Sequence, residues 1–147
     1  MDEIDDIHYG NPHYGYRMRL FSRTGHHLTI LPNEKVLGIN DDSGDLAEYE
    51  ILEFTSAGDV GEVRIRGVYT NLYLSMDEEG NLYGEENPRD EATIFKESTL
   101  GQYNTYLSKK YADKNWYVGI KKNGKPKPAH RTALGQNAIK FLPIRIE

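Results

Sequence analysis

The chain has 147 residues, no cysteine and a formal net charge of −5 at pH 7. This length fits a single domain with a hydrophobic core of its own. The lack of cysteine excludes a disulfide framework and a thiolate metal site. No stretch approaches the roughly 18 apolar residues that cross a bilayer, so we expect no membrane insertion.

Residues 1–16 are predicted to form a flexible acidic tail, and residues 17–147 to form one folded domain. The N-terminal segment is rich in Asp and Glu and too polar to pack. Beyond it, helical periodicity is nearly absent. Short runs of Val, Ile, Leu, Tyr and Phe alternate with Gly, Asn, Asp and Pro, a rhythm typical of an all-β domain.

One sequence unit recurs three times in this domain, about every 45 residues. Its first element lies at 27–34, 73–80 and 117–124, and a second element follows at 50–54, 93–97 and 138–142. Three copies of about four strands each favour a β-trefoil over a propeller, which needs four or more blades. We predict that the alternating apolar residues fill the barrel, namely Leu28, Ile30, Leu72, Leu74, Met76, Val118, Ile120, Ile139 and Phe141.

The charge of the chain reverses between residues 109 and 131. Eight Lys and Arg residues and a single Asp give this segment a net charge of +7, against −12 for the remainder. Its lysines cluster on a predicted Asn123-Gly124 turn, where their ammonium groups stay in water and repel one another. A polyanion carrying sulfate or phosphate explains such segregated charge. The alternative is a solvated, lysine-rich hairpin tip that binds nothing.

The sequence predicts neither a catalytic site nor a metal or cofactor site. Its five histidines have no metal-ligand spacing, and the adjacent His26 and His27 would point to opposite faces of a strand. The carboxylate runs at 77–79 and 85–86 lie in predicted turns, where solvated charge is the ordinary role. A Gly-x-Ser-x-Gly elbow is missing, and the Gly124 turn lacks the strand-to-helix context of a phosphate loop. We therefore do not expect an enzyme.

Several motifs, in one order, resemble the fibroblast growth factor family. They are Arg19-Leu20-Phe21-Ser22-Arg23-Thr24-Gly25, Tyr73-Leu74-Ser75-Met76-Asp77, Tyr103-Asn104-Thr105-Tyr106, Asn115-Trp116-Tyr117-Val118-Gly119 and Lys121-Lys122-Asn123-Gly124. The similarity is closest to the acidic and basic, heparin-binding prototype members. It implies a secreted, extracellular β-trefoil mitogen that binds and activates a receptor tyrosine kinase, with heparan sulfate as co-receptor. It also implies a monomer that heparin can bring together as a dimer.

Two sites follow from the resemblance. The implied heparin site comprises Arg23, Lys121, Lys122, Asn123, Lys127, Arg131, Gln136 and the backbone near Ala138, and Lys125 adds charge on the same loop. The implied receptor surface comprises Phe21, Glu97, Tyr103, Asn104, Leu142 and Ile144. The chain departs from the family where Ala129 and Asn137 replace a usual Gly and Lys, and where Phe21 and Asn40 replace a usual Tyr and Arg.

Other functions remain open in the sequence. Intracellular homologues that bind sodium-channel tails resemble the 19–23 and 95–98 stretches, but they usually carry Val at the position of Asn104 and lack the Lys121-Lys122 pair. A trefoil lectin would repeat a sugar site in each lobe, whereas the single Trp116 occurs in one lobe. Nucleic-acid binding would need aromatic residues among the lysines, and Tyr117 alone precedes them. We therefore predict the secreted ligand.

Overall fold

The computed structural model of the protein describes residues 15–40 and 44–146. Most of the predicted tail, residues 1–14, thus lies outside the described residues. The described chain forms strands β1 Arg17–Ser22, β2 His26–Ile30, β3 Val36–Ile39, β4 Leu52–Ser56, β5 Glu62–Gly67, β6 Tyr73–Met76, β7 Leu82–Glu85, β8 Phe95–Leu100, β9 Tyr103–Ser108 and β10 Phe141–Arg145.

Short 3-10 helices complete the described part of the chain. They span Ala47–Glu50, Glu91–Thr93, Ala112–Lys114, Ala129–Arg131 and Asn137–Ile139. Three of them directly precede β4, β8 and β10, so each copy of the second repeated element is a 3-10 turn followed by a strand. Across residues 15–40 and 44–146, no helix has the length and apolar character that a membrane span requires.

Six strands close an antiparallel barrel. In order around the ring, β1 pairs with β10, β10 with β9, β9 with β8, β8 with β5, β5 with β4, and β4 with β1. The β2–β3 and β6–β7 hairpins lie outside this ring, and a bridge between Ile120 and Pro126 closes the third hairpin. A closed six-stranded barrel with three hairpins is a β-trefoil, which confirms the predicted fold.

The hydrophobic core fills the barrel. All nine apolar residues predicted from the alternating pattern are buried, none with more than 6% of its surface exposed. Successive side chains of a strand point to opposite faces, so a period of two places every second residue inside. Tyr106 stands among them with its ring centroid 5.9 Å from that of Phe54 and 6.0 Å from that of Phe141, both edge to face.

Three equivalent turns connect each lobe of the trefoil to the next through backbone hydrogen bonds. Glu34, Gly80 and Gly124 occupy the same place in these turns, with φ of 73°, 86° and 86°. Each of their carbonyls accepts a hydrogen bond from the following lobe, in the pairs Glu34–Gly84 at 2.8 Å, Gly80–Ala129 at 2.9 Å and Gly124–Gly38 at 2.7 Å. The third bond returns to the first lobe, so the contacts form a closed ring.

Candidate functional site

The basic loop, residues 121–131, begins with the predicted Asn-Gly turn. The Lys121 N–H donates to the Lys125 carbonyl at 2.8 Å, and the Gly124 N–H donates to the Lys121 carbonyl at 2.9 Å. The Asn123 side chain accepts from the Lys125 N–H at 2.9 Å through Oδ1. Positive φ at Gly124 suits a residue without Cβ, and the turn leaves the lysine side chains outside the barrel.

The cations of this loop form no salt bridge with the Asp and Glu residues that the structure describes. Lys122, Lys125 and Arg131 are exposed, and Lys121 and Lys127 are partly exposed. Within residues 15–40 and 44–146, the salt bridges of the structure involve other cations. The loop therefore presents a concentration of positive charge to solvent, which attracts a polyanion.

The remaining lysines of the basic segment are engaged elsewhere. Lys109 binds Glu62 at 3.0 Å, and this hydrogen bond raises the pKa of Lys109. The ammonium group of Lys110 lies 5.7 Å from the ring centroid of Tyr111, and that of Lys114 lies 4.9 Å from that of Trp116. The sequence cluster thus separates into a basic loop and three lysines with partners of their own.

Three other residues of the predicted heparin site, Arg23, Gln136 and Ala138, make contacts within the protein. The Arg23 guanidinium lies 5.3 Å from the Tyr103 ring centroid and donates to the Tyr103 hydroxyl, so it faces the predicted receptor surface. The Gln136 side chain accepts from the Ala133 N–H at 3.1 Å and donates to the Arg131 carbonyl at 3.2 Å, which orders the end of the loop. The Ala138 carbonyl accepts from the Ile120 N–H at 3.0 Å, at the base of the basic hairpin.

The residues of the predicted receptor surface lie on neighbouring barrel strands. Phe21 pairs with Leu142 across β1 and β10, and Asn104 pairs with Phe141 across β9 and β10. Phe21, Leu142 and Asn104 are partly exposed, and Ile144 is 43% exposed. Apolar, aromatic and amide side chains on adjacent strands have the composition of a protein interface.

Glu97 and Asn104 belong to one hydrogen-bond network. Glu97 Oε2 accepts from the Tyr106 hydroxyl at 2.7 Å and from Asn104 Nδ2 at 3.3 Å. Burial raises the pKa of the Glu97 carboxyl, and these two hydrogen bonds partly oppose that effect. Glu97 therefore orients the Asn104 amide, while Asn104 Oδ1 has no hydrogen bond among the described residues.

Sequence reasoning missed a buried ionic cluster beside this surface. Glu50 is 4% exposed, and its Oε1 lies 3.2 Å from Arg19 Nε and 3.6 Å from His27 Nδ1. His27 also packs against Phe21, with ring centroids 5.1 Å apart. Glu50 and His27 are 23 positions apart and meet only when β1, β2 and the first 3-10 helix assemble, so no local pattern marks them.

No group of three or more His, Asp or Glu side chains in the described part of the chain could hold a metal ion. The two adjacent histidines do face different ways, as a strand predicts. His26 is hydrogen-bonded through Nε2 to the Lys122 carbonyl at 2.8 Å, and His27 turns to Glu50.

Comparisons of the sequence with a family model and with known proteins all indicate the same family. The family model described as "Fibroblast growth factor" matches residues 16–142. The chain is 46% identical over 125 residues to "Fibroblast growth factor 1" of Notophthalmus viridescens, an alignment that covers 85% of this chain and 92% of that protein. It is 47% identical over 125 residues to the protein of the same name from Cynops pyrrhogaster, covering 85% and 82%. The Xenopus laevis protein of that name is 46% identical over 120 residues, covering 82% and 75%.

Proposed function

We propose, given that this chain belongs to the fibroblast growth factor family, that it is a secreted ligand of a fibroblast growth factor receptor tyrosine kinase with heparan sulfate as co-receptor. Family membership identifies the chain as a growth factor, and members of this family act as growth factors and not as enzymes. We propose, beyond family membership, that the protein binds the receptor, binds the polysaccharide and acts outside the cell.

The observation that carries the proposal is the concentrated positive charge of the basic loop, which forms no salt bridge among the described residues, on a chain whose net charge is −5. Lysine ammonium groups act as point charges toward mobile sulfates, and the Arg131 guanidinium offers a bidentate fork. Binding of a polyanion releases its counterions, so affinity should fall as salt rises. No cofactor is needed for this role.

The proposed receptor contact is the patch formed by Phe21, Tyr103, Asn104, Leu142 and Ile144. Aromatic and aliphatic side chains around one amide are the usual composition of an interface hot spot. Glu97 orients that amide from one side, and Asn104 Oδ1 can accept a hydrogen bond from the receptor. A hydrogen bond to an amide that is enclosed by apolar contacts contributes more to the free energy of binding than one to an amide that stays in water.

The polysaccharide part is tested by heparin chromatography of two charge-matched variants. Replacing Lys121, Lys122 and Lys127 with Ala should abolish retention at neutral pH, because these cations form no salt bridge among the described residues. Replacing Lys96, Lys110 and Lys114 with Ala removes the same charge from outside the loop and should leave retention nearly unchanged. Equal losses in the two variants would contradict a localised site.

The receptor part is tested by phosphorylation of a fibroblast growth factor receptor on cells that lack heparan sulfate. The wild-type protein should activate the receptor only when heparin is added, and the basic-loop variant should fail even then. Failure of the wild-type protein to bind any receptor ectodomain would reject the proposal and favour the channel-binding alternative.

A further inference from the structure

A groove of about 380 Å³ lies where the first-lobe turn meets the basic loop. Three lysines line it, Lys35 from the first lobe and Lys121 and Lys125 from the third. The other lining residues are largely apolar, namely Val36, Leu37, Leu82, Pro126 and Pro128, together with Asn81. No acidic residue lines this groove, and none of its lysines forms a salt bridge among residues 15–40 and 44–146.

The symmetry of the fold explains why Lys35 reaches the basic loop. Lys35, Asn81 and Lys125 each directly follow the positive-φ residue of one of the three equivalent turns. All three line the same groove, so the groove lies where the three turns converge. Glu34, the neighbour of Lys35, instead lines a separate groove with Glu48 and Glu86. Adjacent residues of opposite charge are thereby directed into different grooves.

Two contacts fix the first lobe against the basic loop. The Gly38 N–H donates to the Gly124 carbonyl at 2.7 Å, and His26 is bonded to the Lys122 carbonyl at 2.8 Å. Gly38 allows this approach because a Cβ there would lie 2.6 Å from Ile120 Cγ2. Lys35 and Lys125 therefore stand on backbones whose relative position is set before any ligand binds, which lowers the entropy cost of binding.

We propose that Lys35 is a further polysaccharide contact and that this groove extends the basic loop into a longer site for a sulfated glycan. Three cations around an apolar floor suit a chain that carries sulfates on sugar rings with apolar C–H faces. Lys35 supplies a charge to sulfates beyond those held by Lys121 and Lys125. This inference rests on the proposed function, since the same glycan occupies the loop.

The experiment measures heparin affinity of Lys35→Gln at several salt concentrations by isothermal titration calorimetry. Lys96→Gln is the matched control, because Lys96 is an exposed lysine on β8 that does not line the groove. Lys35→Gln should bind several-fold more weakly than the control. The negative slope of log K against log salt should become less steep by the equivalent of one ionic contact, which is about 0.7–0.9 by analogy with nucleic-acid phosphates. Lys35→Arg should restore the slope.

The melting temperature of Lys35→Gln distinguishes a change in the folded structure from the loss of a contact with heparin. The Lys35 backbone bonds, from its N–H to Asn33 Oδ1 and from the Leu31 N–H to its carbonyl, persist in the Gln variant. Its melting temperature should therefore match the wild type. Affinity and slope equal to those of Lys96→Gln would overturn the Lys35 contact while leaving the proposed function intact. If the Lys121, Lys122 and Lys127 variant also binds normally, the proposed function itself fails.

Discussion

Glu34 occupies a backbone conformation that favours glycine, and replacing it should stabilise the protein. Its φ of 73° lies in the left-handed region, and the equivalent residues of the other two turns are Gly80 and Gly124. The Glu34 side chain is exposed and forms no hydrogen bond or ion pair within the described residues. Its carbonyl bond from Gly84 involves backbone alone, so Glu34→Gly keeps that bond.

The expected gain follows from two opposing free energies. A residue with a Cβ loses about 1–2 kcal/mol in the left-handed conformation. Glycine costs about 0.5–1 kcal/mol through the greater freedom of the unfolded chain. The net stabilisation of Glu34→Gly should be about 0.5–1 kcal/mol. In a domain of this size that raises the melting temperature by roughly 1–4 °C.

Urea denaturation and thermal melting measure this change, with two controls. Glu34→Gln removes the charge and keeps the Cβ, so its stability should stay near the wild type. Glu79→Gly places glycine in the second turn at a residue without positive φ and should destabilise by about 0.5–1 kcal/mol. A Glu34→Gly variant that is no more stable than Glu34→Gln would refute the reasoning from backbone strain.

Three further predictions concern the proposed partners and the buried carboxyl. Asn104→Ala should weaken receptor binding by about 1–3 kcal/mol in surface plasmon resonance while heparin retention stays unchanged; equal receptor affinity would remove Asn104 from the interface. Heparin at about 100 times its dissociation constant should stabilise the native state by roughly 2.7 kcal/mol, seen as a higher melting temperature; no shift would argue against a preformed site. Burial raises the pKa of Glu97, so its protonated form favours folding and this stabilisation is lost as the pH rises through the raised value. The free energy of unfolding of the wild type relative to Glu97→Gln should therefore decrease as the pH rises from the ordinary pKa of a Glu carboxyl through the raised pKa of Glu97, and a constant difference would contradict it.

The sequence predicts the repeated parts of the fold because they obey local rules. The period-two pattern located Leu28, Leu74 and Val118 in the core, since alternation alone decides which face of a strand is buried. The Asn123-Gly124 turn is likewise confirmed, because glycine at positive φ after a turn-forming Asn is a local signal. Threefold repetition then indicates the closed barrel.

Contacts between lobes could not be predicted from the sequence. Arg23 and Tyr103 are 80 positions apart, and their contact depends on how the barrel closes. That contact places Arg23 beside the predicted receptor surface, which the motif alone did not indicate. Lys35 could not be predicted for the same reason. Its charge is isolated in the sequence, and it lies beside the basic loop only because both line the same groove in the fold. The assignment of individual heparin and receptor residues remains a prediction.

We expect the ring of turn-to-lobe hydrogen bonds to couple local unfolding of the three lobes. The Gly38, Gly84 and Ala129 amides each donate to a turn of the preceding lobe, so a lobe that swings away breaks a bond at both of its borders. Their hydrogen exchange should therefore report the same cooperative unit. A polyanion on the third-lobe loop would slow exchange at Gly38 in the first lobe, because that amide is bonded to the Gly124 carbonyl within the loop. Binding of a ligand to one lobe should therefore protect backbone amides of the other lobes from hydrogen exchange.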